Sequence, residues 1–241
     1  MNDVLISIAK MEVNGKRLEL PKDEQFANYA AVKKTLINAG GKYSKCGFIF
    51  EDAQAIRDSL LLGDVIHDKK KFQFFATPDE LAIQMVEMAD LQPHHNVLEP
   101  SAGDGALLLH IVPLVESYTC IELMPQNFKI LKTKGYSPMR GDFLEFTPED
   151  FKPFDRIIAN PPFTKNKDIE HILHMFEFIK PGGRIVTLAS KSWTFGSQKK
   201  QVEFRNGLEF IGADIKDVPA GTFKESGTNI ATVLITIDKP L

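Results

Sequence analysis

Apolar residues recur along this chain in two different patterns. From Asp23 to Ala39 they fall at helical spacing, and Gly40-Gly41 predicts where that helix ends. A short hairpin is predicted over 42–50, followed by a helix over 52–62 that Asp52 caps. We therefore expect residues 1–71 to form a small N-terminal α+β unit.

After this unit, helices alternate with short apolar strands, a pattern typical of a mostly parallel sheet covered on both faces. A helix is predicted over 79–91, and the chain ends with an antiparallel hairpin of two strands, 213–218 and 230–237. Between them the pattern predicts strands at 96–99, 118–123, 137–140, 154–159 and 184–189, and helices at 106–115, 126–134 and 167–179. Residues 72–241 are expected to form one α/β domain.

Composition narrows the class of protein. The chain has 241 residues, of which 43% are hydrophobic and 25% charged, as in soluble globular proteins. We expect no membrane span, because no apolar run approaches about 18 residues, and no secretory leader. Two cysteines, Cys46 and Cys120, favour a reducing cytoplasm. His171 and His174 are interpreted as part of an exposed helix, and no metal is expected.

Charge is distributed unevenly between the two predicted regions. The formal net charge is −3, but residues 1–71 contain 12 basic and 10 acidic residues, which gives +2 and leaves −5 for the rest. The N-terminal unit is thus the better candidate to meet a phosphate backbone.

A glycine-containing loop, Ser101-Ala102-Gly103-Asp104-Gly105, follows the strand that ends at Glu99. Open α/β sheets bind ligands at the carboxyl ends of such strands, so we expect Ser101, Gly103 and Gly105 to lie close to a ligand. Leu108 occupies the position of the third glycine of a dinucleotide fingerprint, which makes an NAD oxidoreductase the weaker interpretation. Glu99 suits a cationic group instead, such as the ammonium of an amino acid.

Two further carboxylates follow later strands. Glu122 lies 17 residues after Gly105 at the end of the next strand, where it can accept both hydroxyls of a ribose. Asp142, one strand further, can accept from the exocyclic amine of adenine, with Phe143 against the ring. An amino acid, a ribose and an adenine together describe S-adenosylmethionine, which is the expected cofactor.

An apolar strand stops abruptly at Asn160-Pro161-Pro162-Phe163. Both prolines have a fixed φ and donate no backbone hydrogen bond, so the strand cannot continue through them. A plain turn is the alternative interpretation of this motif, but its position beside the predicted cofactor loop favours a functional one.

These motifs resemble those of the class I S-adenosylmethionine-dependent amino-methyltransferases. VLEPSAGDG is similar to their cofactor loop, IELMP to their ribose-binding strand end, GDF to their adenine-binding turn and NPPF to their catalytic motif. FFATP, which contains Phe75 and Thr77, resembles the element that closes over the methionine carboxylate in adenine-N6 DNA methyltransferases. The resemblance covers residues 72–241 and implies a Rossmann-like, seven-stranded sheet with an antiparallel last strand.

The N-terminal unit carries a weaker resemblance, in which GGKYSKCGFIF is similar to the start of methyltransferases carried by phages and plasmids. Many DNA methyltransferases of this class append a target-recognition domain, and this sequence contains no comparable segment after its last strand. Sequence specificity is therefore expected from the N-terminal unit, from loops or from a partner.

The resemblance also implies a mechanism. The target amine would donate hydrogen bonds to the side-chain oxygen of Asn160 and the carbonyl of Pro161, and the rigid Pro161-Pro162 pair would hold these acceptors in place. Phe163 would stack on the target ring. A target inside a duplex would have to be flipped out of the helix.

Additional residues are candidates for substrate contacts. Phe223 could oppose Phe163 across the base, with Lys224 and Lys165 near the phosphates, although a solvent-exposed hairpin loop is an equal interpretation of the Phe223 segment. Other lysines that follow strand ends could track a nucleic-acid backbone; they are Lys167, Lys191, Lys199 and Lys200.

The expected function is methylation of adenine N6 in DNA. Two alternatives change the acceptor to a base amine of ribosomal RNA or to a glutamine amide in a protein. A third is a non-catalytic nucleic-acid-binding or antirestriction subunit, against which the intact Gly103, Gly105, Glu122 and Asn160 weigh.

Overall fold

The computed structural model describes residues 3–50, 52–61, 75–224 and 230–241. The chain divides into two compact units, Met1–Phe72 and Gln73–Leu241. The boundary expected between residues 71 and 72 lies outside the described residues, as do the expected helix end at Leu62, Phe74 of the FFATP element and the Ser226-Gly227-Thr228 segment.

The first unit combines a small antiparallel sheet with helices that cover it. In the described part of this unit the strand order is β1-β2-β4-β3. The hairpin is confirmed, and Asp52 caps its helix, because its Oδ1 accepts from the backbone nitrogen of Ala55 at 2.9 Å. Its elements are α1 (Asp3–Ala9), β1 (Glu12–Asn14), β2 (Arg17–Glu19), α2 (Tyr29–Asn38), β3 (Lys42–Ser44), β4 (Gly47–Ile49) and α3 (Ala53–Leu61).

The second unit contains the long α/β alternation. Its helices are α4 (Asp79–Ala89), α5 (Leu108–Ile111), α6 (Pro125–Thr133), α7 (Lys167–Phe178) and α8 (Lys199–Phe210). Its strands are β5 (Asn96–Glu99), β6 (Ser117–Glu122), β7 (Met139–Arg140), β8 (Phe154–Ala159), β9 (Ile179–Ser190), β10 (Asp214–Asp217) and β11 (Thr232–Asp238).

These strands form a sheet of seven in the described part of the chain, in the order β10-β11-β9-β8-β5-β6-β7. The pairs from β9 through β7 are parallel, whereas β11 runs antiparallel to both β9 and β10. The predicted seven-stranded sheet with an antiparallel last strand is confirmed.

Packing on both faces explains the unbroken apolar stretch of β8. Ile157 and Ile158 point to opposite faces and are both fully buried, each in a different hydrophobic cluster. Helix α7 contributes to the first cluster and α4 to the second. The central strands are therefore fixed on both sides, which also fixes the position of the residues that follow them.

Helix α8 is not among the sequence predictions. Its residues are mostly charged or polar, and of the twelve only Gln201, Phe204 and Leu208 are buried. No helix in the described ranges is long and apolar enough to cross a membrane.

Candidate active site

The residues predicted to act together follow neighbouring parallel strands. Glu99 ends β5, Glu122 ends β6 and Asn160 comes directly after β8. Strand β5 pairs with both β6 and β8, so the three strand ends meet at one edge of the sheet. The sheet thus brings the predicted cofactor carboxylates and the NPPF motif to the same edge.

Glu122 holds the glycine loop in place. Its Oε2 accepts from the backbone nitrogen of Gly103 at 2.6 Å, and its Oε1 accepts from the backbone nitrogen of Met124 at 2.5 Å. Burial raises the pKa of Glu122 to about 7, although these backbone donors oppose the rise. Each oxygen keeps acceptor capacity, so the carboxylate can also accept from a ligand hydroxyl.

The two loop positions favour glycine for different structural reasons. Gly103 and Gly105 have φ values of 56° and 90°, in the left-handed region that favours glycine. A Cβ on Gly105 would lie 2.9 Å from Cδ2 of Leu131, on the neighbouring helix α6. The absence of a side chain at Gly105 therefore allows the loop to pack against helix α6, whether or not the loop also contacts a ligand.

Glu99 is a buried carboxylate with an oxygen that lacks a partner. Its side chain is 2% exposed, and its Oε2 has no hydrogen bond among the described residues; the same holds for Oγ of Ser101. Burial, followed by the charges of Glu122 and Asp104, raises the pKa of Glu99 well above its ordinary value. An unpartnered buried carboxylate is costly unless a cation or donor compensates it.

Asp142 and Phe143 differ in how they are placed. Oδ1 of Asp142 accepts from the backbone nitrogen of Leu144 at 3.1 Å and begins a 3-10 turn. Phe143 is 2% exposed, and its ring packs against His174 and Phe178, with centroid distances of 4.8 and 5.0 Å. Phe143 is therefore part of the core, and little of its side chain is left for an adenine.

The expectation of an exposed position for His171 was wrong. Its side chain is 5% exposed and lies beside the Phe143 ring, at a centroid distance of 5.8 Å. Burial lowers the pKa of His171 to about 4, so the imidazole is neutral at physiological pH. In the described part of the chain, no group of His, Cys, Asp and Glu side chains could hold a metal ion.

Asn160 is oriented by the segment that precedes α4. Its Nδ2 donates to the carbonyl oxygen of Phe75 at 2.9 Å and to Oγ1 of Thr77 at 3.1 Å. Because a carbonyl can only accept, the contact with Phe75 decides which end of the amide is the nitrogen. Among the described residues, Oδ1 is therefore left as the acceptor of this side chain. This contact gives Phe75 and Thr77 a function that the sequence interpretation did not include.

The aromatic residue of the motif has a partner in the C-terminal loop. Pro161 is buried and Pro162 half-buried, and Phe163 and Phe223 are 6% and 2% exposed. The two rings have centroids 6.5 Å apart at an interplanar angle of 81°, which is an edge-to-face contact. The structure brings the two predicted aromatics together, but in contact with each other rather than spaced for a base.

Three of the six candidate phosphate-binding lysines lie within ion-pair distance of an acid in the described part of the chain. Lys191 and Lys200 form ion pairs with Asp217 and Glu170, at 2.6 and 2.5 Å. Lys165 and Lys224 are exposed, and Lys165 has a φ of 55° directly after the motif. The charge of the three lysines within ion-pair distance is therefore partly compensated by the neighbouring acids.

Comparison with known proteins identifies the fold of the second unit. No family model matches the chain. A methyltransferase subunit of a type I restriction-modification system from Streptococcus thermophilus superimposes with a TM-score of 0.60 at 19% identity, over 77% of this chain and 53% of that one. A class I S-adenosylmethionine-dependent methyltransferase from Listeria monocytogenes superimposes with a TM-score of 0.54 at 16% identity, over 78% of this chain and 68% of that one. This similarity agrees with the fold that the sequence motifs predicted. The second unit has the class I methyltransferase fold.

Two proteins found by sequence comparison have a higher sequence identity to this chain than the solved structures do, but this chain covers only part of their length. "Defense against restriction protein B" of Escherichia phage P1 is 30% identical over 166 residues, which are 60% of this chain and 7% of that protein. "Ribosomal RNA small subunit methyltransferase A" of Nostoc sp. is 26% identical over 187 residues, 66% of this chain and 67% of that enzyme. The chain thus spans a small fraction of the phage relative and about two thirds of the second.

The residues of this methyltransferase fold fit S-adenosylmethionine. The unpartnered Oε2 of Glu99 and Oγ of Ser101 are buried acceptors that an ammonium group would satisfy. Glu122 lies one strand away, with acceptor capacity for ribose hydroxyls, and Asp142 lies one strand further.

The sequence interpretation missed Asp168, which is fully buried and accepts from the backbone nitrogen of Ser190 at 2.8 Å, joining α7 to the end of β9.

Proposed function

We propose that this chain methylates the exocyclic N6 amine of adenine in DNA, with S-adenosylmethionine as methyl donor. The observation that carries the proposal is the orientation of Asn160, whose nitrogen donates to Phe75 and Thr77 so that its oxygen remains an acceptor. A fixed acceptor directly after the central strand is what a donor amine requires.

The chemistry assigned to the motif follows from the weakness of the nucleophile. The lone pair of an adenine amine is delocalised into the ring, and hydrogen bonds from both amine protons to Asn160 Oδ1 and the Pro161 carbonyl would favour a pyramidal nitrogen. Pro161 and Pro162 hold these acceptors rigid, so little reorganisation is needed during reaction. Phe163 would stack on the target ring once that ring enters between Phe163 and Phe223, which are in contact with each other without it.

The cofactor, when bound, supplies a methyl group on a positively charged sulfur, so that the amine gains the methyl, the sulfur keeps the bond electrons and a proton goes to solvent. Glu99 would hold the ammonium group and Glu122 the ribose hydroxyls, while Ser101, Gly103 and Gly105 shape the loop between them. Asp142 would accept from the cofactor's adenine. Orientation by these residues provides most of the rate acceleration.

The choice of DNA rests on two comparisons and on the motif. The Streptococcus thermophilus protein is a methyltransferase subunit of a restriction-modification system, and the phage P1 relative is named for defense against restriction. DNA methylation protects against restriction, so an adenine in DNA is the acceptor consistent with both. FFATP and the phage-like start of the N-terminal unit agree with this choice.

A base amine in RNA is the second candidate, because the Nostoc relative is named as a ribosomal RNA methyltransferase and matches 66% of this chain. The Asn-Pro-Pro-Phe geometry fits either acceptor equally well. The choice between DNA and RNA would depend on the protein groups that contact the nucleic-acid backbone. In this chain the candidates are lysines in the loops around the motif.

The proposal is tested by incubating the full chain with labelled S-adenosylmethionine and, in separate reactions, duplex DNA, single-stranded DNA, RNA and a protein extract, followed by nucleoside mass spectrometry. We expect N6-methyldeoxyadenosine. Label found only in RNA would overturn the choice of DNA, and label found only in protein would overturn the nucleic-acid acceptor altogether.

A further inference from the structure

Phe195 is an exposed aromatic side chain beside the candidate active site. It lies in the segment 191–198, which follows β9 and which we call the 191–198 loop. Its side chain is 77% exposed, whereas Phe163 and Phe223 are buried. A single exposed ring is common on protein surfaces, and Phe210 is exposed as well, so a binding function has to follow from how and where the Phe195 ring is held.

The exposure is built into a rigid loop rather than caused by a loose one. Nη1 of Arg205 donates to the carbonyl oxygens of Trp193, Thr194 and Gly196, at 2.7, 3.2 and 3.3 Å. Trp193 itself is 1% exposed and packs edge-to-face against Phe204 at 4.9 Å. Both sides of Phe195 are therefore anchored, and its ring is held out into solvent.

The same loop is bonded to the segment after the NPPF motif. Nδ2 of Asn166 donates to Oε1 of Gln198 at 2.8 Å, and Oδ1 of Asn166 accepts from Nε2 of Gln201 at 3.0 Å. The φ of Asn166 is 61°, in the left-handed region, and these two side-chain hydrogen bonds stabilise that backbone conformation. The 191–198 loop is thus hydrogen-bonded to the segment that follows the motif, at the carboxyl edge of the sheet.

The surroundings of Phe195 favour a nucleobase over a protein. The other residues exposed along the same loop are the polar Ser192, Ser197 and Gln198, so the loop presents one apolar side chain and not a run of the kind proteins bury. Lys199 is 89% exposed and lies four residues from Phe195 in sequence, with its Nζ 3.7 Å from Oε1 of Glu203. An exposed aromatic with an exposed lysine close in sequence matches the aromatic and basic groups with which proteins bind single-stranded nucleic acid.

We propose that Phe195 is a stacking platform for an unpaired base that flanks the target nucleotide. The proposal rests on the proposed nucleic-acid methylation and adds a binding residue to it. An unpaired base is available in single-stranded substrate, and also in a duplex once the target has been flipped out. Stacking here would help to hold the strand while the target amine reaches Asn160.

The test is the affinity of the full chain for a labelled 12-nucleotide single strand that contains one adenine, as DNA and as RNA, measured by fluorescence anisotropy with S-adenosylhomocysteine present. Phe195→Ala should weaken binding by about 5- to 160-fold, which corresponds to the range found for base–aromatic stacking by alanine substitution. The slope of log Kd against log salt should stay unchanged, because stacking releases no counterions. Phe195→Trp should bind at least as well as the wild type.

Phe210→Ala is the matched control. Phe210 is 91% exposed and lies at the far end of α8, about 16 Å of helix from the 191–198 loop. Its removal should leave the affinity within twofold, and S-adenosylhomocysteine should bind both variants like the wild type.

The outcomes separate this inference from the proposed function. A wild type that methylates a nucleic acid, together with Phe195→Ala that binds it as tightly as the wild type, overturns the platform alone. A loss in Phe210→Ala equal to that in Phe195→Ala also overturns it. A wild type that neither binds nor methylates nucleic acid, but modifies a protein, overturns both.

Discussion

The side-chain nitrogen of Asn160 lies 3.1 Å from the hydroxyl oxygen of Thr77, although the two residues are 83 positions apart. With the carbonyl of Phe75 at 2.9 Å, Thr77 fixes the amide so that only its oxygen is presented to a substrate. Asn160 is thus pre-oriented before any ligand binds, and Thr77 is a positioning residue for it.

Thr77→Val keeps the shape of the side chain and removes its hydroxyl. We expect kcat to fall about 2- to 10-fold, because the net contribution of one such hydrogen bond is about 0.5–1.5 kcal/mol. Thr77→Ser restores the hydroxyl and should recover most of the rate. Single-turnover kinetics and a separate cofactor titration are the measurements. A loss found entirely in cofactor affinity would show that Thr77 holds the cofactor and not Asn160.

Gly105 and Gly207 form a matched pair of glycines. Gly105→Ala places a Cβ in a left-handed conformation, 2.9 Å from Leu131, so we expect a loss of about 1–3 kcal/mol in the free energy of unfolding. Gly207 lies inside α8 with no atom within 4 Å of its added Cβ, so Gly207→Ala should stabilise by about 0.5–1 kcal/mol. Urea unfolding measures both. Equal effects in the two variants would contradict the packing assigned to Gly105.

Cofactor affinity should depend on the ionisation of Glu122. Its pKa in the folded protein is about 7, above its ordinary value of 4.5. The protonated carboxyl therefore stabilises the cofactor-free fold fully below pH 4.5, and this contribution is lost as the pH rises through 7. The ionised form is the better acceptor for ribose hydroxyls, so S-adenosylhomocysteine should bind more tightly at pH 8 than at pH 6. Isothermal titration with Glu122→Gln should give a flatter pH dependence, and an unchanged one would remove Glu122 from the ribose site.

Glu99→Gln separates binding from stability. It removes a buried carboxylate whose Oε2 has no partner among the described residues, so thermal unfolding of the cofactor-free protein at pH 8 should move to higher temperature. The same change should weaken cofactor binding about 10- to 100-fold, because the ammonium loses its countercharge. Lower stability together with unchanged affinity would contradict both expectations.

The central sheet could be predicted from sequence because its strands are unbroken apolar runs. The boundaries expected for β5 and β8 agree with those observed, Asn96–Glu99 and Phe154–Ala159. The antiparallel final hairpin followed from two apolar strands that flank a glycine-rich loop, and β11 pairs antiparallel to β10 as expected.

Other features depend on contacts that periodicity does not record. Helix α8 contains Asn206 and Gly207 and buries few apolar residues, so it lacks the apolar face that identifies a helix. His171 is buried because Phe143 packs beside it, and nothing in its local sequence indicates this neighbour. The contact between Asn160 and Thr77 joins distant segments and required the structure. KSWTFGSQKK offered an aromatic between lysines after a strand, which could have pointed to Phe195.

Asn160 provides the most direct test of the proposed function. The measurement is the yield of N6-methyldeoxyadenosine by mass spectrometry, after reaction of adenine-containing DNA with S-adenosylmethionine and wild type, Asn160→Ala or Asn206→Ala. Asn206 is an exposed asparagine of α8 and serves as the control. We expect product with wild type and Asn206→Ala, and a rate about 10²–10³-fold lower with Asn160→Ala, at a cofactor affinity within a few-fold. Turnover by Asn160→Ala at the wild-type rate, or no methyladenine from the wild type, would contradict it.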